Sequence, residues 1–155
     1  MNLFDFLIKS ATVADIKARD KESVIAELLQ SLVKHKAIKK ENYKRVLNKI
    51  LEREKEGSTG IGKGLAVPHL KQSKYVDRMV GVFGRCREGV EYDAIDGTPC
   101  RLFFLILTPR ESNDHHIKAL KKVAQLARNA DFCRFMVEAK DVKEMVDLLE
   151  EVDGA

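Results

Sequence analysis

The sequence lacks an apolar run long enough for a transmembrane helix. The longest such run, residues 102–107, is far shorter than the roughly 20 residues that a membrane-spanning helix needs, and it predicts a buried strand instead. Residues 1–10 also lack the basic region, the sustained apolar stretch and the small-residue cleavage site of a secretion signal. These absences predict a protein without membrane insertion or export, and therefore a cytoplasmic location.

Cysteines are few, and their spacing excludes the common metal and redox motifs. The three of them, Cys86, Cys100 and Cys133, are odd in number and far apart. Zinc sites and dithiol redox motifs need pairs at close spacing. We therefore expect reduced thiols, and nothing in the sequence predicts a cofactor.

Basic residues exceed acidic ones only slightly, and the two kinds are interleaved. The formal net charge is +4, and residues 49–56 illustrate the mixture of signs. Because the basic residues are not clustered, the sequence predicts no nucleic-acid partner. No internal repeat, low-complexity tract or linker divides the chain. With 45% hydrophobic content, residues 1–155 are expected to form one compact domain.

Helical periodicity is clear in both halves of the chain. Apolar residues recur at helical spacing behind Asp20, a good N-cap residue, which predicts a helix over residues 20–36. A second helix follows, with Arg53 in its last turn, and ends at Gly57, which suits the left-handed position just past a helix end. Further helices are predicted over residues 114–128, 132–138 and 142–152, the last opened by Asp141.

Strands are predicted between these two groups of helices. Residues 79–83 and 102–107 have the composition of strands, and Asp96-Gly97 lies between segments 92–95 and 100–105 as a strong hairpin signal. The sheet should therefore be partly antiparallel. Since helices precede and follow the strands, we predict an α/β fold in which a mixed, partly antiparallel sheet is covered by helices.

The glycine-rich segment 57–64 differs from the nucleotide-binding P-loop in three respects. A P-loop follows a strand, precedes a helix and ends in a hydroxyl residue that binds magnesium. Here a helix precedes the segment, Pro68 follows it and Gly64 occupies the hydroxyl position. The glycines instead allow close approach of another molecule or a sharp turn of the chain.

His69 follows this loop directly and is the candidate nucleophile. Pro68 fixes its own φ and favours an extended Val67, so the imidazole should point in a defined direction. Imidazole titrates near neutrality, and its neutral nitrogen can accept a phosphoryl group. A histidine that merely packs beside a structural turn is the alternative on physical grounds.

Residues 53–69 resemble the phosphohistidine motif of the type-2 enzyme IIA family of the bacterial phosphotransferase system. The resemblance continues through Phe83, residues 93–96 and residues 116–120, and is weakest over residues 1–40. It implies that His69 receives a phosphoryl group from a histidine phosphocarrier protein. It also implies that Arg53 and His116 support the phosphate, without a metal or another cofactor.

Helix geometry is compatible with the phosphate-supporting roles that the resemblance implies for Arg53 and His116. Arg53 shares a helical stripe with Val46 and Ile50, and its forked guanidinium can hold a phosphate, although an arginine that complements a helix C-terminus is the alternative. Adjacent residues on a helix face different ways. Of the neighbours His115 and His116, we therefore expect His116, which shares a stripe with residues 120, 123 and 127, to point inward. No further ligand cluster accompanies the pair, so no metal site is predicted.

Two residues after His69 bear on its partners. Leu70 stands where the family generally has a small residue, and it either narrows access or extends an apolar docking surface. Lys71 either balances phosphate charge or is simply a solvated surface lysine.

The resemblance leaves two functional classes open. In sugar transport the acceptor is a cysteine of enzyme IIB; in regulation the protein binds target proteins according to its phosphorylation state. The motif is most similar to the stand-alone nitrogen-branch proteins, and no linker or second domain is visible, which favours regulation. A structural domain with a dead site is disfavoured because His69, Arg53 and His116 are all present.

Overall fold

A computed structural model describes residues 1–154, which form five α-helices and five β-strands around one mixed sheet. Short 3-10 turns over Leu3–Asp5, Lys9–Ala11 and Lys40–Asn42 supplement them. The helices are α1 (Lys21–Lys34), α2 (Tyr43–Lys55), α3 (Asn113–Ala127), α4 (Ala130–Glu138) and α5 (Val142–Gly154). The strands are β1 (Gly60–Gly62), β2 (Leu65–Ala66), β3 (His69–Ser73), β4 (Val80–Val90) and β5 (Cys100–Pro109).

All five predicted helices are present, and side-chain caps fix the starts of three of them: Asn129 caps α4 by accepting from the Phe132 amide at 3.0 Å, and two aspartates cap α1 and α5. The Asp20 carboxylate accepts a hydrogen bond from the Ser23 amide at 2.9 Å, and Asp141 accepts one from the Glu144 amide at 2.9 Å. The expectation for Gly57 was wrong, because its φ of 158° lies far from the left-handed helical region. The last turn of α2 ends with Glu56 still in the right-handed helical conformation.

Strand β5 is the centre of the sheet. It pairs antiparallel with β4 along one edge and parallel with β2 and then β3 along the other. Strand β1 lies outside β2 and runs antiparallel to it. The predicted mixed, partly antiparallel sheet is therefore confirmed.

One detail of the strand prediction was wrong. Residues 92–95 form no strand, and the antiparallel partner of β5 is β4, which ends at Val90. The Asp96-Gly97 turn does form: Gly97 has a φ of 74°, and its amide donates to the Ala94 carbonyl at 2.9 Å. Asp93 has a φ of 55°, which is incompatible with an extended segment at that position.

Helices cover both faces of the sheet, as predicted. The side chains of β5 alternate between two apolar clusters, so both of its faces are buried. Phe103, Leu105 and Leu107 join the cluster that contains α1 and α2. Leu102, Phe104 and Ile106 join the cluster that contains α3, α4 and α5.

The glycine-rich segment has none of the architecture of a P-loop. Helix α2 precedes it, and strands β1 and β2 form within it. A Cβ placed on Gly60 would lie 2.8 Å from the Ala94 Cβ, so this glycine allows close packing within the chain. Gly64 has a φ of 81°, so it provides the predicted turn. Among residues 1–154, no helix is both long and apolar enough to cross a membrane.

A buried arginine joins three parts of the fold. Arg85, on β4, is fully buried, and its guanidinium donates to the Ala14 carbonyl at 3.1 Å and to the Met136 carbonyl at 3.0 Å. It also donates to the Ala139 carbonyl, just past the end of α4. Carbonyls at a helix C-terminus lack donors within the helix, and the Arg85 guanidinium provides such donors at the end of α4.

Candidate functional site

His69 opens β3 at an edge of the sheet. It is half-buried, and its register partner on β5 is Ile106. Its Nδ1 lies 2.8 Å from the Val67 carbonyl oxygen, which can only accept. Nδ1 therefore carries the hydrogen, and Nε2 keeps the free lone pair. The buried Pro68 between these two residues holds the imidazole in the geometry of this short contact.

His116 lies opposite, on the second turn of α3. Its side chain is buried, whereas that of His115 is exposed, so the sequence prediction for this pair is confirmed. The rings of His69 and His116 have centroids 5.2 Å apart and are tilted by 54°. His116 Nδ1 lies 2.6 Å from the Thr108 hydroxyl, and Nε2 is buried without a hydrogen-bond partner among the described residues.

Arg53 reaches the same site from the last turn of α2. It is half-buried, and its Nη1 donates to the Gly57 carbonyl at 3.0 Å. This hydrogen bond is of the kind that the helix-terminus alternative anticipates, but it uses only one of the five guanidinium hydrogens. The buried residues of α2 are Val46, Ile50 and Glu54, and half-buried Arg53 lies beside them near the loop.

One open cleft, with a volume of about 630 Å³, brings all three predicted residues together. Its walls come from the end of α2, the start of β3 and the first turns of α3. Leu70 lines the cleft while packing against the α1–α2 core cluster, so it extends the apolar wall beside His69. Exposed Lys71 also lines it.

A β-bulge follows His69 directly. Leu70 pairs with Leu107 and Ser73 with Pro109, so two residues of β3 face Thr108 alone. Within the bulge Gln72 has a φ of 56°, a conformation that is uncommon for a residue other than glycine. Bulges are common next to functional sites because they change the direction of side chains.

Buried Glu54, which the sequence analysis did not single out, fixes the start of the glycine-rich loop to α2. Its carboxylate accepts from the Thr59 hydroxyl and amide, from the Tyr92 hydroxyl at 3.0 Å and from Lys21 Nζ at 2.9 Å. A buried carboxylate is stable only when it is paired in this way. The available signal was that Glu54 continues the apolar stripe of α2.

The surroundings favour neutral imidazoles at both histidines. Burial lowers the pKa of His69, and the positive charges of Arg53 and Lys71 add to this effect, while the Val67 carbonyl opposes it. Burial lowers the pKa of His116 to about 4, with further contributions from His69 and Lys71. Lys71 thus acts electrostatically on both rings.

The low pKa of His116 predicts an acid-sensitive fold. The unfolded chain binds a proton at this residue below the ordinary pKa of about 6.5, whereas the folded chain binds it only near pH 4. Stability should therefore fall as the pH drops from about 6.5 to about 4, by up to about 3 kcal/mol from His116. Urea unfolding of His116→Gln across this range should give a flatter pH profile. His115→Gln, at an exposed position, should keep the original slope; equal slopes for both variants would contradict this assignment.

The described residues contain no group of three or more His, Cys, Asp or Glu side chains arranged to hold a metal ion. Cys86, Cys100 and Cys133 are all free thiols. The site consists of an imidazole with a free Nε2 lone pair, a second imidazole and a guanidinium around one cleft.

Comparison with known proteins finds relatives among phosphotransferase system components and nitrogen regulatory proteins. The chain is 31% identical over 99% of its length to the fructose-specific EIIABC component of Bacillus subtilis, of which it spans 24%. It is 30% identical to the nitrogen regulatory protein of Bradyrhizobium diazoefficiens, over 96% of this chain and 95% of that protein. The crystal structure of nitrogen regulatory protein IIA-Ntr from Neisseria meningitidis superimposes with a TM-score of 0.83 at 29% identity, covering 94% of this chain and 97% of that one.

A family-wide comparison agrees with these individual relatives. Residues 5–152 match the family described as phosphoenolpyruvate-dependent sugar phosphotransferase system, EIIA 2. The match includes the glycine-rich loop, His69, Arg53 and His116. The chain therefore belongs to the type-2 EIIA family of the phosphotransferase system.

Proposed function

We propose that this chain is a cytoplasmic phosphoryl carrier that accepts a phosphoryl group on Nε2 of His69 from a histidine phosphocarrier protein. Residues 1–155 act together as one enzyme IIA domain. The observation that carries the proposal is the convergence of His69, His116 and Arg53 on one open cleft. There the free imidazole lone pair of His69 lies beside a guanidinium and a second imidazole, both of which can donate to a phosphate.

The reaction is an in-line transfer between two nitrogens. The Nε2 lone pair of His69 attacks the phosphorus of the donor's phosphohistidine, and the bond from phosphorus to the donor nitrogen breaks with its electron pair returning to that nitrogen. His69 keeps the Nδ1 hydrogen, and the Val67 carbonyl stabilises the positive charge that the ring gains. Nothing is oxidised or reduced, so the protein has mainly to position groups and stabilise charge.

Arg53 and His116 are the groups that stabilise the phosphoryl oxygens. Arg53 has guanidinium hydrogens beyond the one bound to Gly57, and a forked cation suits two phosphate oxygens. Neutral His116 can donate one hydrogen bond from Nε2 without adding a second positive charge to the unphosphorylated site. Regulation of partner proteins through the phosphorylation state of His69 is the role we favour, because the match to a nitrogen regulatory protein spans nearly all of both chains.

Arg53→Lys should slow phosphoryl acceptance by about tenfold or more, since an ammonium cannot make two parallel hydrogen bonds to one phosphate. Rapid-quench measurement of the transfer rate would check this. The matched control is Arg45→Lys, on the exposed face of the same helix, which should leave the rate unchanged. A loss of stability at an unchanged rate would instead support the helix-terminus role of Arg53.

Reconstitution is the direct test of the carrier function. The protein is incubated with phosphoenolpyruvate, enzyme I and the phosphocarrier protein, and intact mass spectrometry measures the product. We expect the mass of one phosphoryl group, labile in acid and stable in base, as a phosphoramidate bond requires. No mass gain in the complete system would contradict the proposal.

Sugar transport is the second candidate, because the Bacillus subtilis relative is a fructose-specific component and matches 99% of this chain. In that role the phosphoryl group passes from His69 to a cysteine of enzyme IIB. A chase of the phosphorylated protein with purified enzyme IIB separates the two roles. Rapid loss of phosphate to IIB supports transport, whereas retention supports regulation.

A further inference from the structure

Thr108 is a buried hydroxyl residue for which the mechanism so far has no use. It lies on β5 between Leu107 and Pro109, with 1% of its surface exposed. Its hydroxyl oxygen is 2.6 Å from His116 Nδ1, and this is the one hydrogen bond that the hydroxyl makes among the described residues. The contact is direct, short and shielded from solvent.

A neutral imidazole has one donor nitrogen and one acceptor nitrogen, so the contact with Thr108 decides which is which. His116 is neutral near pH 7, since its pKa is lowered to about 4. Two arrangements are possible. Either Thr108 donates to Nδ1 and the ring hydrogen is on Nε2, or Nδ1 donates to Thr108 and Nε2 is a bare acceptor.

Counting hydrogen-bond partners separates the two arrangements. If Nδ1 donated, the Thr108 hydroxyl hydrogen would have no acceptor among the described residues, and His116 Nε2 would be an unpartnered acceptor as well. If Thr108 donates, the hydroxyl is satisfied, and one group, the Nε2 hydrogen, lacks a partner. Because each unsatisfied buried polar group is costly, the arrangement in which Thr108 donates to His116 Nδ1 is the more stable.

We infer that Thr108 is a positioning residue: its hydroxyl donates to His116 Nδ1 and thereby keeps the hydrogen of His116 on Nε2, directed at the phosphoryl site. The inference rests on the proposed carrier function of His69. The unpartnered Nε2 hydrogen gains its acceptor when the phosphoryl oxygens arrive, so an interaction missing in the free protein forms in the phosphorylated one. Because the tautomer is fixed in advance, the His116 ring does not have to move its hydrogen between nitrogens during transfer.

The packing of β3 supports this role. The bulge at Lys71 and Gln72 lies opposite Thr108. The register of the strand that carries His69 therefore changes at the residue that bears this hydroxyl. His69 and Thr108 are therefore held by paired strands, and His116 joins them from α3. Rigid strands position a catalytic group more precisely than loops do.

The test compares Thr108→Val, which keeps the shape of the side chain but removes its donor, with Thr108→Ser, which keeps the donor. Nitrogen-15 NMR of the imidazoles at neutral pH reports which nitrogen of His116 carries the hydrogen. Phosphorylation of His69 by phosphoramidate, a small donor, measures the rate without a protein partner. Circular dichroism confirms that each variant is folded.

We expect the hydrogen on Nε2 in the unmodified protein and a rate reduced about tenfold in Thr108→Val, the effect of one lost hydrogen bond. Thr108→Ser should return the rate close to that of the unmodified protein. A hydrogen on Nδ1, or an unchanged rate in Thr108→Val, would overturn the inference. If the unmodified protein accepts no phosphoryl group, the carrier function fails, and the NMR result alone then decides how Thr108 is hydrogen-bonded.

Discussion

Replacing His69 with alanine should abolish phosphoryl acceptance while the protein stays folded. The variant lacks His69 Nε2. The lone pair of this nitrogen is free because the ring hydrogen of His69 is held on Nδ1 by the Val67 carbonyl. His69 is half-buried at the edge of the sheet, so its removal costs little of the core. In the reconstituted system, intact mass spectrometry should detect no added phosphoryl group.

His115→Ala is the matched control for this experiment. His115 is an exposed imidazole next in sequence to His116, and its loss should leave phosphorylation unchanged. His69→Ala should also unfold at nearly the same denaturant concentration as the original protein. An acid-labile, base-stable phosphoryl group on His69→Ala would show that the nucleophile lies elsewhere.

Replacing Arg85 with methionine should destabilise the fold by about 1–3 kcal/mol, the cost of leaving a backbone acceptor without its donor. Methionine fills similar space, and swapping a whole buried ion pair for apolar residues is often harmless. Here, however, the partners are backbone carbonyls, and that of Ala14 is left without a donor, while those of Met136 and Ala139 keep the Ala139 amide and Arg87 as donors. Because the Ala14 carbonyl is left unsatisfied, we expect the substitution to lower the free energy of unfolding.

Guanidinium unfolding measured by circular dichroism would check the loss of stability in Arg85→Met. Arg87→Met is the control, because Arg87 is exposed and donates only to the Ala139 carbonyl. We expect a loss below about 1 kcal/mol there, as for most surface substitutions. Similar losses in the two variants would mean that the buried Arg85 guanidinium contributes no more to the free energy of unfolding than the exposed one of Arg87.

The parts of this structure that the sequence predicts well are those that local rules govern. The start of α1 at Asp20 and that of α5 after Asp141 follow from side-chain caps and helical spacing. The burial of His116 rather than His115 follows from the helical period alone. His69, Arg53 and His116 were named from a motif, and the cleft brings them together.

The parts that the sequence predicted poorly depend on distant partners. Residues 92–95 have a strand-like composition, but Tyr92 is turned toward Glu54 on α2, and β5 pairs instead with β4. Nothing in the sequence pattern singles out Thr108. Its relation to His116 becomes visible only when α3 packs over β5, a long-range contact that periodicity cannot reveal.

The parallel pairing of β3 with β5 also has a consequence for how the protein folds. His69 pairs with Ile106 across an intervening segment that contains β4, so this pairing joins residues far apart in the chain. Such nonlocal contacts form late, because closing the long loop costs entropy before the contact is made. We therefore expect the helices to form before the cleft assembles during refolding. We therefore expect the proposed capacity of His69 to accept a phosphoryl group to appear only after the parallel half of the sheet has closed.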